Sequence, residues 1–228
     1  MSLTFLLPVF NERATVEQIL QSVEDSGLAD RIIVVDDAST DGTRKVLQDI
    51  ASRNPLIELH LHDRNRGKGA ALRTGFGKVE TDLVLVQDAD LEYDPRDVPA
   101  LLLPLAEDKA DVVYGSRFLG AAHRPTMFWH MVANKMLTLM TNVLYNTILT
   151  DMETGYKLFR REVIQDFTIR SNRFDFEPEI TAKLLKRKVR IFEVPITFNP
   201  REYSEGKKIG LSDAFAAVWA LLKFRFVD

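Results

Sequence analysis

The chain alternates short apolar runs with segments whose apolar side chains recur every three or four positions. LTFLLPVF (3–10), RIIVVDD (31–37) and DLVLVQDAD (82–90) are near-continuous apolar runs, while IELHLHD (57–63) alternates apolar with polar residues. Each has the length of a strand. Between them, ATVEQILQSVEDS (14–26) sets Val16, Ile19, Leu20 and Val23 on one helical face. STDGTRKVLQDIASR (39–53) opens on cap-forming Ser and Thr and sets Val46, Leu47 and Ile50 on one face. KGAALRTGFGKV (68–79) reads as a third helix.

Apolar strands separated by helices predict an α/β protein with a mainly parallel sheet and helices on both faces. Right-handed crossovers gather the C-terminal ends of such strands along one edge, where ligands bind. Polar residues collect at that predicted edge: Asn11 and Glu12 after the first strand, Asp36 and Asp37 after the second, Asp88 and Asp90 after the fourth. The clustering points to a site. The second half is less regular. It predicts a strand in 110–118, a long amphipathic helix over 126–149 rich in Met and Leu, and a turn, strand and short helix in 151–163. A helix over 176–188, a strand over 189–198 and a last helix from near Ser212 follow. The polar, glycine-containing stretch 199–210 reads as a mobile loop.

Composition narrows the class. With 228 residues, 46% of them hydrophobic and 28% charged, the chain suits one core, or one core with a small lid. A net charge of −3 from 30 basic and 33 acidic residues gives no reason to expect a nucleic-acid partner. Cysteine is absent, which excludes disulfides and thiolate chemistry and fits a reducing compartment. The N-terminus has no basic region or cleavage site and reads as a strand, and no apolar stretch approaches the ~20 residues of a spanning helix. The expectation is a soluble chain able to touch a membrane surface.

Asp88-Ala89-Asp90 closes the apolar run LVLVQ. Two carboxylates at a strand's end can turn toward one hard cation, and Mg²⁺ or Mn²⁺ takes one or two carboxylates plus phosphate oxygens. Such an ion would neutralise a diphosphate leaving group. Asp36 and Asp37 could accept hydrogen bonds from a ribose or nucleobase, or cap the helix that follows. His60 and His62 alternate with Leu59 and Leu61 and read as surface or sheet-packing residues.

Taken in order, Pro8-Val9-Phe10-Asn11-Glu12, Val35 to Thr43 (VDDASTDGT), Asn65 to Ala71 (NRGKGAA), Asp88-Ala89-Asp90 and Gly115-Ser116-Arg117 resemble the inverting family 2 glycosyltransferases of the GT-A fold. The later blocks Asp151 to Lys157 (DMETGYK), Phe174 to Glu179 (FDFEPE), Glu193-Val194-Pro195, Arg201 and Glu205 to Lys208 (EGKK) resemble the dolichyl- or polyprenyl-phosphate mannosyl- and glucosyltransferases within that family. The resemblance spans nearly the whole chain and implies a single domain over 1–228. Residues 1–118 would hold the nucleotide sugar and metal; 119–228 would hold the acceptor, with a lid at 199–210 and a C-terminal helix. It implies that Pro8, Phe10, Glu12, Asp37 and neighbouring Asp36 line the nucleoside pocket, with further donor contacts at Lys68, Ala89 and Arg201. Asp88 and Asp90 would hold the metal, with Glu92, which stands where that branch is expected to carry Gln, as a third metal-side contact. Arg117 would sit at the phosphates.

A lipid phosphate is already anionic and needs cations, not a base; Arg117, Arg124, Asn134 and Lys207 are the acceptor-side candidates. A sugar hydroxyl would need a carboxylate base, with Asp151, Glu153, Glu177 and Glu179 as candidates, although Asp151 and Glu153 could equally serve the turn before Gly155. The expected reaction moves a hexose from GDP-mannose or UDP-glucose to polyprenyl or dolichyl phosphate, in a cytoplasmic enzyme touching the inner membrane face. Transfer to a saccharide hydroxyl, or sugar-nucleotide binding without catalysis, are the alternatives. A receiver-like signalling domain fits poorly, because the chain is long and its acidic pair follows the second strand. A nicotinamide fingerprint fails at Leu72, where the third glycine of GxGxxG would stand. A nucleotidyltransferase would want a Gly-rich, Arg-containing loop where PVFNER stands. Met127, Phe128, Trp129, Met131, Met136, Leu137, Leu139 and Met140, and later Phe215, Val218, Trp219, Leu222 and Phe226, read as core stripes or as membrane-facing ones.

Overall fold

The computed structural model describes residues 1–120, 128–201 and 211–227, without the side chains of 211–214. Seven strands form one sheet: β1 (Leu3–Val9), β2 (Arg31–Asp36), β3 (Ile57–Leu61), β4 (Leu83–Val86), β5 (Val112–Ser116), β6 (Lys157–Arg160) and β7 (Ile191–Pro195). Their order is β3-β2-β1-β4-β6-β5-β7. β3, β2, β1 and β4 run parallel, and β5 runs parallel to β7. Only β6 is antiparallel to its neighbours. The sheet is thus mainly parallel, as the apolar runs predict.

Eight helices accompany it among the described residues: α1 (Val16–Asp25), α2 (Thr43–Arg53), α3 (Lys68–Phe76), α4 (Val98–Ala106), α5 (Phe128–Tyr145), α6 (Arg161–Gln165), α7 (Phe176–Lys186) and α8 (Leu211–Phe226). Strand side chains alternate between two cores. Phe5, Leu7, Ile32, Val34, Leu83 and Leu85 meet Ile19 and Leu20 of α1, Leu47 of α2 and Leu101 of α4 on one face. Leu6, Ile33, Val35, Val84 and Val86 meet Leu72 and Phe76 of α3, Ile164 of α6 and Ile180 of α7 on the other. Burying each of these large side chains contributes about 1.5–3 kcal/mol. A smaller core joins Leu137 of α5 to Ala217 and Leu221 of α8.

Helix α4 is the element the sequence pattern does not announce. VPALLLPLA is apolar all round and carries Pro104 inside the helix, so no polar face marks its period. It is started instead by a short 3-10 turn, Pro95–Asp97, which the Asp94 side chain caps by accepting from the Arg96 amide.

Candidate functional site

The C-terminal ends of β1, β2 and β4 lie side by side, and each passes into its loop through a non-glycine residue with positive φ: Asn11 (53°), Ala38 (62°) and Leu91 (63°). This left-handed backbone costs roughly 1–2 kcal/mol per residue, and strain of this kind concentrates at functional edges. Side chains hold the loops in place. Asn11 donates its amide to Ser39 Oγ (2.9 Å) and accepts from the Thr40 amide (2.8 Å), and the Glu12 amide donates to Thr43 Oγ1 (3.0 Å).

Asp36 and Asp37 both turn inward, with 0% and 2% exposure. Asp36 accepts from Arg44 Nε (2.7 Å). Asp37 accepts from the amides of Arg66 (2.9 Å) and Gly67 (2.6 Å) and lies 2.6 Å from His62 Nδ1. Both carboxylates expected to line the nucleoside pocket thus already accept from donors of the chain itself. Asp37 fixes the loop before α3, and Asp36 fixes the start of α2 through Arg44 and the Ser39 amide. His62 is buried between Asp37 and Thr74, which alternation along an edge strand did not reveal.

That loop is tight for steric reasons. Gly67 has φ 94°, and a Cβ there would overlap the carbonyl oxygen of Asn172; a Cβ at Gly69 would come within 2.6 Å of Ser171 O. Lys68 opens α3 and reaches two carboxylates, Asp88 (2.9 Å to Oδ1) and Glu177 of α7 (3.0 Å). Burial alone would discharge the Lys68 ammonium, but Asp88 and Glu177 hold its pKa well above the ordinary value. Gly155 packs against the same knot, where a Cβ would overlap Asp88 Oδ2.

Asp90 sits one step further out. Its Oδ1 accepts from the Glu92 amide (3.1 Å) and its Oδ2 from Arg201 Nη2 (3.2 Å). Burial, with Asp88 and Glu92 nearby, pushes the Asp90 carboxyl up to about 7, while Arg201 pulls the other way. Arg201 also reaches Glu12 (Nη1 to Oε2, 2.9 Å), and its amide donates to Glu92 Oε1 (2.9 Å).

Across the edge, Arg117 follows β5 and is clamped by Asp151. Nε and Nη2 each donate to one carboxylate oxygen at 2.7 Å, and the Arg117 amide adds a third bond at 3.0 Å. Glu193 of β7 supports this pair by accepting from the Asp151 amide (3.0 Å). Burial by itself opposes a charged guanidinium, but Asp151 keeps Arg117 ionised. Tyr93 stacks on Tyr156 with ring centroids 5.1 Å apart and accepts from the Gly155 amide (3.0 Å), which locks the Asp88 and Asp151 loops together. The side chain of Lys157 is buried and donates to Met152 O (3.0 Å). Glu153 lies beside it with Oε1 buried and unpartnered. Burial and Glu177 push the Glu153 carboxyl up to about 8, against the pull of Lys157 and Arg117.

The profile of Glycosyl transferase family 2 matches residues 4–168. The chain belongs to that family. It is 28% identical over 216 residues to the dolichol-phosphate mannosyltransferase of Pyrococcus furiosus, covering 92% of this chain and 60% of the relative. It is 30% identical over 213 residues to the polyprenol monophosphomannose synthase of Mycolicibacterium smegmatis, covering 90% and 80%. This family 2 glycosyltransferase therefore spans about three fifths of the length of the Pyrococcus relative. Its fold matches glucosyl-3-phosphoglycerate synthase of Mycobacterium tuberculosis, solved with Mn²⁺, UDP and phosphoglyceric acid, with TM-score 0.77 and 21% identity over 100% of this chain and 79% of that one. The GT-A expectation is met.

The remaining expected residues of this family 2 chain divide. Pro8 lies on β1, and with Phe10 just beyond it is half-buried; Ala89 is buried between the two aspartates. Asn134 is half-buried on α5, whose neighbouring Lys135 places Nζ 4.2 Å from the Phe118 ring centroid and so ties the helix to the Arg117 loop. Arg124, Lys207 and most of the expected lid lie outside the described residues. Sequence reading singled out all four residues but missed the pairings: Lys68 with Glu177 and Arg201 with Glu12 join residues far apart in the chain.

Both apolar stripes have two faces. Leu137, Ala217, Ala220, Leu221 and Phe224 are buried, whereas Phe128, Trp129, Met136, Leu139, Phe215, Trp219 and Phe226 are exposed. The core reading holds for one face of each helix only. Met127 lies outside the described residues. No helix among the described residues is long and apolar enough to cross a membrane.

Proposed function

We propose that this family 2 transferase moves a hexose, with inversion, from a nucleoside-diphosphate sugar such as GDP-mannose or UDP-glucose to a polyprenyl or dolichyl phosphate. One observation carries the reading: at one sheet edge the carboxylates Glu12, Asp88, Asp90 and Glu92 gather on one side and the buried Arg117–Asp151 pair stands on the other. The relatives named for dolichol- and polyprenol-phosphate chemistry support the acceptor.

A divalent cation, Mg²⁺ or Mn²⁺, fits the first cluster. Four carboxylates there face two cations, Lys68 and Arg201, which leaves negative charge to balance. Among the described residues no group of three or more acidic or imidazole side chains is placed to hold an ion by itself, so one there would rest on one or two carboxylates. A hard ion there would complete its shell with phosphate oxygens, as Mg²⁺ usually does. Asp90 would hold it, with Asp88 and Glu92 beside; when bound, it neutralises the charge that develops on the leaving diphosphate.

The chain's own residues do the rest. An oxygen of the lipid phosphate attacks the anomeric carbon from the face opposite the diphosphate. The bond from that carbon to the β-phosphate oxygen breaks, and its electron pair leaves with the nucleoside diphosphate. The attacking phosphate is already ionised, so no base is required. Arg117, fixed in orientation by Asp151, presents a planar two-pronged donor to phosphate oxygens. Asp151 is thus a positioning residue in this reading and not a base. The exposed aromatic faces of α5 and α8, with Lys223 and Arg225 near the end of α8, suit peripheral contact with the membrane that holds the acceptor.

A second reading, transfer to a saccharide hydroxyl, is favoured by Glu153. Asp151, Glu177 and Glu179 are paired with Arg117, Lys68 and Lys183, but Glu153 keeps a buried oxygen without a partner, as a base would need. Thermal unfolding with UDP-, GDP- and dTDP-sugars, with and without Mn²⁺, tests the donor; a shift that needs both one nucleotide and Mn²⁺ is expected. Transfer of labelled sugar to polyprenyl phosphate or to a soluble saccharide then separates the acceptors. No shift with any nucleotide would count against both readings.

A further inference from the structure

Arg201 occupies the cleft between the β1 and β4 loops. Its guanidinium meets Glu12 Oε2 at 2.9 Å, Glu12 Oε1 at 3.2 Å and Asp90 Oδ2 at 3.2 Å, and its side chain is only 17% exposed. The Arg201 Nε is buried with no hydrogen-bond partner. Lys68, the other cation of this cluster, differs. It is held at the start of a helix by both oxygens of Asp88 and by Glu177, and its position is fixed by elements on both sides.

We propose that Arg201 is a resident counter-cation of the donor cleft, paired with Asp90 and Glu12 in competition with a divalent ion, and that a diphosphate draws it away, so that the ion binds poorly alone and well with nucleotide. The inference rests on the donor reading above and adds to it how the two ligands depend on each other. The reasoning is electrostatic. A divalent ion on Asp90 Oδ2 would compete with the guanidinium for the same lone pairs, and the two cations would repel each other at a few ångströms in a poorly solvated cleft. A diphosphate offers the guanidinium another set of acceptors that suit its planar fork. It also offers a partner to the buried Nε, whose hydrogen bond the chain itself leaves unmade at a cost. By linkage, whatever the diphosphate adds to metal affinity, the metal adds to diphosphate affinity.

The sign of one measurement separates this device from simple donor binding. Mn²⁺ is titrated calorimetrically into the full chain at pH 8 for wild type, Arg201→Gln and Arg201→Lys. Each is measured alone and with saturating UDP or GDP. In wild type Mn²⁺ alone binds weakly and nucleotide strengthens it. In Arg201→Gln, Mn²⁺ alone binds about tenfold or more tightly than in wild type, and the gain from nucleotide shrinks by a similar factor. Arg201→Lys, which keeps the charge but cannot span both carboxylates, falls between and remains usable if the Gln variant does not fold. Mn²⁺ affinity in the variants equal to wild type, or weaker, would overturn the proposal. Failure of the donor reading looks different: neither UDP nor GDP would then change Mn²⁺ affinity in wild type.

Discussion

The strand-end rim and the outer face of α5 and α8 are built on opposite principles. At the rim, carboxylates and cations are matched in pairs: Asp88 with Lys68, Asp151 with Arg117, Glu12 with Arg201, Asp36 with Arg44. On the helical face, Trp129, Val143, Phe215 and Phe226 stand more than two-thirds exposed with no polar chemistry among them. A rim of paired charges is preorganised for a small, highly charged ligand, whose groups can replace an internal partner one for one. The exposed apolar face has no such partner among the described residues and suits something broad and apolar. Under the proposed function the contrast would give donor and acceptor different physics: fixed dipoles for the nucleotide, area for the lipid.

The strongest way to break the rim is at Asp151. Asp151→Asn keeps the shape but leaves Arg117 buried beside a neutral partner, which costs about 3–5 kcal/mol. For a chain of this size that is roughly 6–20 °C in melting temperature, read by calorimetry. Transfer should fall at least about a hundredfold, since a loosened guanidinium stabilises the leaving charge poorly. The double variant Arg117→Met with Asp151→Leu sharpens the point. It should regain much of the stability, because an apolar pair tolerates burial better than a broken ion pair, and should stay inactive. Recovered activity would remove Arg117 from the chemistry.

Gly155→Ala comes next. The new Cβ would overlap Asp88 Oδ2 and push the carboxylate off Lys68. Overpacking of this kind costs about 1–3 kcal/mol, measured by urea unfolding, and the fall in activity should exceed what lost stability explains. Full activity would mean that the position of Asp88 is unimportant.

These two sites also show what one sequence can convey. The polar clusters were legible because a parallel sheet must bring its strand ends to one edge, and Asp88-Ala89-Asp90 stood out at the end of an apolar run. Their partners were not. Glu12 and Arg201 lie 189 residues apart, and nothing local in either segment announces the other. Asp36 and Asp37 were legible as strand-end carboxylates, but their donors within the chain, Arg44 and the Arg66 and Gly67 amides, were not. The helices α5 and α8 were legible as amphipathic, yet apolar residues on two faces leave the inward one undetermined until the neighbours are known.

A pH profile probes the seam between the regions. The Glu153 carboxyl is raised from 4.5 to about 8 by burial and Glu177. The folded chain therefore binds a proton that the unfolded chain has released, and this group's contribution to stability falls as pH rises from about 4.5 to about 8. Lys157, lowered from 10.5 to about 8 by burial, acts in the opposite sense above that range. Glu153→Gln removes the first slope. Its stability relative to wild type should rise steadily between pH 5 and pH 8, and a difference independent of pH would show that Glu153 is ionised throughout. Transfer to a lipid phosphate should survive the substitution, whereas transfer to a hydroxyl should not.

The smallest effect on the folded chain, and the sharpest test of the helical face, comes from Phe215→Ser with Trp219→Ser. Both side chains are largely exposed, at 77% and 66%, so their loss should change stability by no more than about 0.5 kcal/mol. If that face rests on a bilayer, the same loss removes aromatic area from the interface, where even partial burial of two rings is worth more than the 1.4 kcal/mol of a tenfold change. Co-sedimentation with anionic vesicles should weaken about tenfold or more. Transfer to acceptor embedded in vesicles should fall with it, while transfer to a short, water-soluble polyprenyl phosphate should not. Equal sedimentation of variant and wild type would detach the face from the membrane and leave the rim as the whole of the acceptor site.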